Sequence, residues 1–340
     1  MSELVCCIDI GTTRLKVAAF DEELQLVALE SSGTIAGPAA RPYELDLVAL
    51  PALAGETLRG LLAHPAVAGR SIAGLSVTGQ RATVAELHGN GSPAGPALSW
   101  QDGRGHAALE LLLARFGRGE FSSITGLPPS ALWSISKILW LQEQRGASLE
   151  HDRRLALLPD FLLGWLGAEG LVTDLSSASL TGLLDLGTLR WCGRLLDELG
   201  LVEEQLPQLL PAGARIGRLG VEAARHTGLM AGTPLYLGGG DQQCAALGLG
   251  AVEPGEVALC LGTAAVVSCP VDRPVLDPSG RTFCTAHVVP GRWVLEGIHN
   301  AFGSSLGWVQ AMLGLGSAAE LLELAEVAVA APATPDGSVL

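Results

Sequence analysis

A single acidic residue, Asp241, follows three glycines, Gly238–Gly240, at the end of an apolar segment that begins at Leu235. The pattern predicts a short buried strand, a glycine turn and a helix of small residues. Glycines let a ligand approach the backbone closely, and an ionisable group directly after a buried strand is well placed to line a cleft. The alternative is that Asp241 only caps the helix that follows.

Two short turns have the composition of a phosphate-binding loop. In the first, Asp9 precedes the turn Gly11–Thr13 between two apolar strands. Backbone N–H groups and hydroxyls at such a turn suit phosphate oxygens, and a neighbouring acid suits a hydrated Mg²⁺ ion. In the second, Gly262 and Thr263 separate two apolar strands within Glu256–Ser268. We interpret the two as an internal repeat whose turns face one nucleotide triphosphate; the alternative is a pair of ordinary hairpin tips.

A third set of polar side chains follows two successive predicted strands. Because ligands bind where strands of an α/β sheet end, these side chains are candidates for contacts to a polyol. They are Gln80, Arg81, Trp100, Gln101, Asp102 and Arg104. The alternative is a solvated loop with a surface contact between Asp102 and Arg104.

The elements that must position these residues alternate between strands and helices, as in an α/β protein. Beyond the strands already described, strands are expected at Leu24–Ser31, Ser71–Thr78, Ala82–His88, Thr282–Val289 and Trp293–Gly297. Helices are expected at Asp46–Leu62, Ala107–Phe116, Trp133–Gln144, Trp191–Leu199, Val221–Thr227, Asn300–Leu313 and Ala318–Ala331. A helix capped by Asp174 or a serine is expected near Thr173–Ser179. Pro207–Arg215 is predicted to be a connection. The last residues, 335–340, are predicted to form a turn and the start of a strand.

Composition narrows the class of protein. The 340 residues are 48% hydrophobic and 16% charged, with a net charge of −14, which argues against binding to nucleic acid or to an anionic membrane. The seven cysteines show no C-x-x-C spacing, so we expect reduced thiols in a cytoplasmic protein. Only Lys16 and Lys137 are lysines, so each could sit where a compact ammonium group is needed.

Several common catalytic motifs are excluded. The sequence has no G-x-x-x-x-G-K-[ST] and no cysteine or histidine cluster with zinc spacing. Gly303–Gly307 matches G-x-S-x-G, but a nucleophile elbow needs a strand before the serine, and a helix is expected over this segment.

Taken together, these motifs resemble those of the FGGY family of carbohydrate kinases. Four regions carry the resemblance: Asp9–Thr13 with Lys16, Gly79–Arg81 with Trp100–Arg104, Thr173–Ser179, and Gly239–Gln243 with Leu261–Thr263. The resemblance implies an α/β, actin-like fold of the sugar kinase–Hsp70 ATPase (ribonuclease H-like) type. It also implies transfer of the ATP γ-phosphoryl group to a sugar hydroxyl, with ATP and Mg²⁺ as cofactors.

The resemblance also implies roles for individual residues. Asp241 would be the catalytic base, and Asp9 would hold Mg²⁺ through a water molecule. The sugar would be bound by Gln80, Arg81, Trp100, Asp102 and Gln242, and the ATP phosphates by Asp9, Gly11, Thr12, Thr13, Lys16, Gly262 and Thr263.

The substrate and the domain boundary remain open at this stage. Glycerol kinases carry Gln-Arg-Glu where this chain has Gln80-Arg81-Ala82, and xylulokinases carry Gln-Met-His. The Trp100–Arg104 motif favours a ketopentose such as xylulose; the alternatives are a glycerol or polyol kinase and a non-catalytic actin-fold protein that binds sugar or regulates. We expect two similar domains, 1–246 and an incomplete 247–340, because family members are longer. A homodimer is one possible assembly.

Overall fold

The computed structural model describes residues 3–35, 37, 41–262 and 264–330. Strands and helices alternate along the chain. The strands are β1 (Leu4–Ile10), β2 (Leu15–Phe20), β3 (Leu26–Ser32), β4 (Glu44–Leu45), β5 (Ile72–Gly79), β6 (Val84–Leu87), β7 (Ala97–Leu98), β8 (Arg154–Leu157), β9 (Val172–Asp174), β10 (Leu184–Asp185), β11 (Arg190–Trp191), β12 (Gln208–Leu210), β13 (Arg215–Arg218), β14 (Pro234–Gly240), β15 (Ala258–Leu261), β16 (Ala265–Val271), β17 (Phe283–Ala286) and β18 (Trp293–His299).

The helices cover the sheets and connect the strands. They are α1 (Leu50–Ala63), α2 (His106–Phe116), α3 (Arg118–Thr125), α4 (Ser134–Arg145), α5 (Leu158–Leu166), α6 (Leu175–Ser179), α7 (Gly193–Leu199), α8 (Val221–Thr227), α9 (Asp241–Gly248), α10 (Phe302–Met312) and α11 (Ala318–Ala330).

A six-stranded sheet in the order β13-β14-β5-β1-β2-β3 forms the centre of the first part of the chain. Alternate residues of β1, such as Cys6 and Ile8, are fully buried, as the period of a strand with one face on the core requires. Helices α1, α5 and α8 contribute to the same core. Strands β1, β5 and β14 run parallel, so their carboxyl ends lie at one edge of the sheet.

A separate four-stranded antiparallel sheet, β15-β16-β18-β17, follows α9. Helix α9 packs against both β14 and β15, so it joins the two sheets. The boundary at residues 246 and 247 stays a prediction, although it lies within the helix that connects them. Both predicted hairpins are present: β1 pairs with β2, and β15 pairs with β16.

Most predicted elements are confirmed within a few residues, and Val221–Thr227 has the predicted bounds. Four assignments were wrong. The glycines Gly238–Gly240 belong to β14, helix α3 was missed, the connection 207–215 contains β12, and Trp191 lies in a strand that precedes its helix. The predicted turn and strand at 335–340 lie outside the described residues.

Other predictions concern chemistry and location. All seven cysteines are free, as expected. The G-x-S-x-G segment lies inside α10, so the arrangement of a nucleophile elbow is absent there. Among the described helices, none has the length and apolar character needed to cross a membrane.

Candidate active site

Three strand ends place the predicted polar residues together. Ile10 of β1 pairs with Gly79 of β5, and Gly79 pairs with Gly240 of β14. The residues that follow each strand therefore emerge side by side at one edge of the sheet. They face a cavity of about 560 Å³ whose opposite wall comes from β15, β16 and β18.

Nearly every predicted site residue lines this cavity. The lining includes Asp9, Gly11, Thr12, Thr13, Lys16, Gln80, Arg81, Trp100, Asp241, Gln242 and Gly262. Asp102 and the neighbouring candidates Gln101 and Arg104 are not part of this lining. Thr263 lies outside the described residues.

Asp241 is the first residue of α9, and Gly240 holds the N-cap position, so the side chain of Asp241 does not cap the helix. Its Oδ1 accepts a hydrogen bond from the N–H of Gln242 at 2.8 Å, and its side chain is 30% exposed to the cavity. Burial raises the pKa of Asp241 to about 6, although Arg81 and the Gln242 N–H lower it. A carboxylate with such a pKa is suited to accept a proton near neutral pH.

The three glycines before Asp241 are needed for packing within the protein, which corrects the interpretation that they admit a ligand. A Cβ on Gly238 would lie 2.0 Å from the carbonyl oxygen of Val77. A Cβ on Gly240 would lie 2.3 Å from Cδ of Arg81. Neighbouring backbone and the stem of Arg81 therefore occupy the space that the missing side chains leave.

The segment Thr173–Ser179, the third region of the resemblance, contacts the end of β14 just before Asp241. Asp174 caps α6 by accepting hydrogen bonds from the N–H groups of Ser176 and Ser177, as predicted. Its carboxylate also accepts from the hydroxyl of Ser176, whose oxygen in turn accepts from the N–H of Gly240 at 2.9 Å. The buried Asp174 thus fixes the residue directly before Asp241.

Arg81 lines the cavity, but its terminal nitrogens are already paired. Nη1 and Nη2 donate to the two oxygens of Glu296 at 3.0 and 2.6 Å, and Nε lies 3.8 Å from Oδ1 of Asp241. Glu296 was not among the predicted site residues. A lone acid inside the apolar strand Trp293–His299 was the available signal, since a buried carboxylate needs a partner.

The first predicted phosphate turn is hydrogen-bonded to Trp100 and Gln80, two other residues of the cavity lining. The N–H of Gly11 donates to the carbonyl of Arg14, which closes the turn. The indole Nε1 of Trp100 donates to Oγ1 of Thr12 at 3.0 Å, and Thr12 donates to Gln80 at 3.5 Å. The side chain of Thr13 is exposed, so its hydroxyl is accessible to a ligand.

Asp9 and Lys16 form an ion pair at 3.5 Å on adjacent strands. Burial raises the pKa of Asp9, and Lys16 acts in the opposite direction. Oδ1 of Asp9 is buried and has no hydrogen-bond partner among the described residues. An unpartnered carboxylate oxygen of this kind fits an Mg²⁺ ion or a water bound to it.

Asp102 and Arg104 contact each other, as the alternative interpretation expected, but the contact is buried on the aspartate side. Asp102 is 2% exposed and accepts from Nη2 of Arg104 at 2.6 Å. Arg104 also donates to Glu44 at 2.9 Å and lies over the ring of Trp140. The assignment of Asp102 to the sugar stays a prediction, and in this structure its carboxylate is occupied.

Lys137 is buried beneath the cavity wall. Its Nζ donates to the carbonyl oxygens of Trp100 at 3.0 Å, Ala131 at 2.5 Å and Leu132 at 2.9 Å. Burial lowers the pKa of Lys137 to about 7, and the amine can donate hydrogen bonds in either protonation state. Lys137 thus occupies a specific buried position, in which its amine donates hydrogen bonds to two residues of the cavity lining, Trp100 and Leu132.

Comparison with known proteins identifies the family. The model for the N-terminal domain of the FGGY family of carbohydrate kinases matches residues 4–248. The chain belongs to this family. Its members are phosphotransferases, and the actin-like fold of sugar kinases is confirmed by solved structures. The chain is similar to a ligand-bound xylulose kinase from Lactobacillus acidophilus, with a TM-score of 0.87, 25% identity, and coverage of 97% of this chain and 66% of that one.

Kinases with different names are similar to this chain. An autoinducer-2 kinase of Yersinia enterocolitica is 38% identical over 180 residues, which covers 52% of this chain and 34% of that protein. A xylulose kinase of Lactococcus lactis is 29% identical over 314 residues, which cover 91% of this chain and 61% of that protein. A gluconokinase of Bacillus subtilis is 28% identical over 316 residues, which cover 91% of this chain and 60% of that protein. The chain thus spans between about a third and three fifths of the length of these relatives.

Proposed function

We propose that this protein transfers the γ-phosphoryl group of ATP to a hydroxyl of a sugar, with Asp241 as the general base. One observation carries the proposal. The carboxylate of Asp241, whose pKa is raised by burial, shares one cavity with the turns at Gly11–Thr13 and Gly262. Membership of the FGGY family supports the same reaction.

The proposed step is a direct displacement at phosphorus. A bond forms between the sugar oxygen and the γ-phosphorus while the bond from that phosphorus to the β–γ bridging oxygen breaks. Asp241 takes the hydroxyl proton, through Oδ2, because Oδ1 accepts the Gln242 N–H. The remaining contribution of the protein is to position groups and stabilise charge.

The hairpin turns are the proposed phosphate contacts. Thr12 and Thr13 would offer backbone N–H groups, and Thr13 its hydroxyl, to the phosphate oxygens. The N–H groups of Gly11 and Gly262 are paired with the carbonyls of Arg14 and Ala264, so these glycines would shape the turns without donating to phosphate. Lys16 would contribute positive charge, since its side chain is 49% exposed. Asp9 would hold Mg²⁺ through its unpartnered oxygen, and the ion would supply neutralisation of phosphate charge when bound.

The proposed sugar site is formed by Gln80, Trp100, Gln242 and the stem of Arg81. Oε1 of Gln242 is buried and accepts no hydrogen bond from a described residue, so a sugar hydroxyl would supply the donor that it lacks. Ala82 lines the same cavity and offers no carboxylate at the position where glycerol kinases carry Glu. These features favour a ketopentose such as xylulose over glycerol.

A second candidate substrate is autoinducer-2. The specific observation is the 38% identity to an autoinducer-2 kinase over 180 residues. The alternative class is a protein of the same fold that binds sugar without phosphorylating it.

The test is ATP-dependent ADP release by the protein expressed from its complete reading frame. The panel holds xylulose, ribulose, sedoheptulose, gluconate, erythritol, glycerol and autoinducer-2. We expect turnover on one ketose, and no turnover in Asp241→Asn, which keeps the volume of the side chain. No turnover on any compound, with sugar binding still detected by calorimetry, would contradict the kinase proposal and favour the binding protein.

A further inference from the structure

Glu296 is a fully buried acid in the wall of the cavity, on a different sheet from the other charged residues. It lies on β18 between apolar neighbours, and its side chain has no exposed surface. Its carboxylate receives both terminal nitrogens of Arg81, which follows β5 in the first sheet. The pair therefore bridges the two sheets that form the cavity.

Two further donors fix this carboxylate. Nε2 of Gln243 donates to Oε1 of Glu296 at 2.8 Å, and Oγ1 of Thr285 donates to the same oxygen at 2.6 Å. Gln243 also donates to Thr285 at 3.0 Å. Because Gln243 lies in the first turn of α9, the network connects directly to the helix that begins at Asp241.

The geometry makes Arg81 a shared partner of two acids. Glu296 has the closer, two-point contact, and Asp241 faces only Nε at 3.8 Å. A guanidinium whose fork is filled by one carboxylate is held in place and largely neutralised by it.

We propose that Glu296 is a positioning residue for the reaction, and that it keeps Arg81 from pairing closely with Asp241. This inference rests on the proposed role of Asp241 as base. Without the carboxylate of Glu296, Arg81 is left with an uncompensated charge and its nearest remaining acid is Asp241. Asp241 would then be held as a paired carboxylate and would be a weaker base.

Several other charges face Asp241 and Arg81 and must be considered for the pH dependence. Asp9 on β1 raises the pKa of Asp241, as does Glu296, while Arg81 lowers it. Lys16 on β2 pairs with Asp9, and Asp174 at α6 acts on Arg81. Removing the charge of Glu296 alone therefore shifts the pKa of Asp241 downward, because a raising influence is lost and the lowering influence of Arg81 is no longer offset.

The test is the pH profile of kcat/KM for Glu296→Gln, measured beside Glu86→Gln. Glu86 is a matched control because it is also buried and paired with arginines, Arg145 and Arg153, but does not line the cavity. The acid limb is the part of the profile in which kcat/KM falls as Asp241 becomes protonated. In Glu296→Gln we expect this limb to move to lower pH by about one unit, and the plateau value of kcat/KM to fall by about three- to tenfold. Glu86→Gln should leave the limb in place. An unmoved limb in a folded Glu296→Gln protein would overturn the proposal.

A double variant covers the case in which Glu296→Gln does not fold. Arg81→Met with Glu296→Met replaces the buried ion pair by apolar side chains, an exchange that proteins often tolerate. In this double variant the acid limb of the kcat/KM profile should lie at a higher pH than in the unmodified protein, because Arg81 lowers the pKa of Asp241 more than Glu296 raises it. A limb that moves downward or stays in place would contradict the proposal.

A second readout separates this inference from the proposed function. The carboxyl carbon of Asp241 can be titrated by ¹³C NMR in protein labelled at aspartate, with Asp241→Asn for assignment. A downward shift in Glu296→Gln in a protein without turnover on any sugar would support the effect of Glu296 on Arg81 and Asp241 but contradict the kinase proposal, and with it a role of Glu296 in that reaction. Turnover with an unchanged titration would refute the role of Glu296 alone.

Discussion

Replacing Lys137 by Met should weaken both the fold and the sugar site. Lys137 belongs to α4, and its Nζ connects the carbonyls of Trp100 and Leu132, which line the cavity, with that of Ala131. Methionine fills most of the volume but donates no hydrogen bond. The carbonyls of Trp100 and Leu132 lose the donor that Lys137 supplies, whereas that of Ala131 still accepts from the hydroxyl of Ser136.

The expected magnitude follows from two opposing contributions. Hydrogen bonds from a charged donor contribute about 1.5–3 kcal/mol each, and burying an ammonium group costs several kcal/mol, which the variant recovers. We expect a net loss of about 2–4 kcal/mol in the free energy of unfolding. With an unfolding entropy of about 2.1 cal/mol/K per residue, a chain of 340 residues loses roughly 1.4 °C in Tm per kcal/mol, so Tm should fall by roughly 3–6 °C.

The same change should raise the Kd for the sugar by about tenfold, since a small displacement of a binding wall is costly. Trp100 is the residue through which this occurs, because its indole also holds Thr12. The assay is thermal unfolding followed by calorimetry with the sugar identified on the panel. Gln205→Met is the matched control: Gln205 is buried and donates to the carbonyl of Glu150, yet does not line the cavity. The control should lower Tm without changing sugar affinity. Equal sugar affinity for Lys137→Met and the unmodified protein would refute the reasoning.

Three further predictions concern other parts of the site. Burial raises the pKa of Asp241 to about 6, so kcat/KM should reach half its plateau near that pH, level off roughly one unit above it and fall about tenfold per pH unit well below it, as the base becomes protonated; a rate that rises on acidification would contradict this. Gly238→Ala should lower the free energy of unfolding by several kcal/mol or prevent folding, because its Cβ would lie about 2.0 Å from the Val77 carbonyl oxygen. The control is Gly119→Ala in α3, where a Cβ has open space. This change should raise the free energy of unfolding in urea by about 0.5–1 kcal/mol. Asp9→Asn should raise the Mg²⁺ concentration needed for half-maximal turnover by at least about tenfold while sugar binding without nucleotide stays unchanged; an equal loss of both would assign Asp9 to the fold.

The position of the site could be predicted from the sequence because it depends on strand ends. Asp9, Gln80 and Asp241 each lie at or just after an apolar run, and parallel strands bring such ends to one edge. Periodicity therefore placed residues from distant parts of the chain in one cavity without any knowledge of side-chain contacts.

The partners of those residues could not be predicted in the same way. Arg81 was assigned to the sugar, yet its terminal nitrogens pair with Glu296, 215 residues later in the chain. Gly238 was assigned to ligand approach, yet its neighbour is the backbone of Val77. Such contacts depend on how two sheets pack together, and the local pattern of a strand contains no information about the opposite wall.

The most direct test of the central claim is the comparison of turnover and sugar affinity in Asp241→Ala. The base is expected to contribute about 10²–10⁴-fold to the rate but little to binding of the sugar. We predict that turnover falls by at least about 10²-fold while the Kd for the sugar, measured by calorimetry, stays within about threefold. Loss of turnover and of sugar binding by the same factor would contradict the account, because it would assign Asp241 to the structure of the cavity instead of to the chemistry.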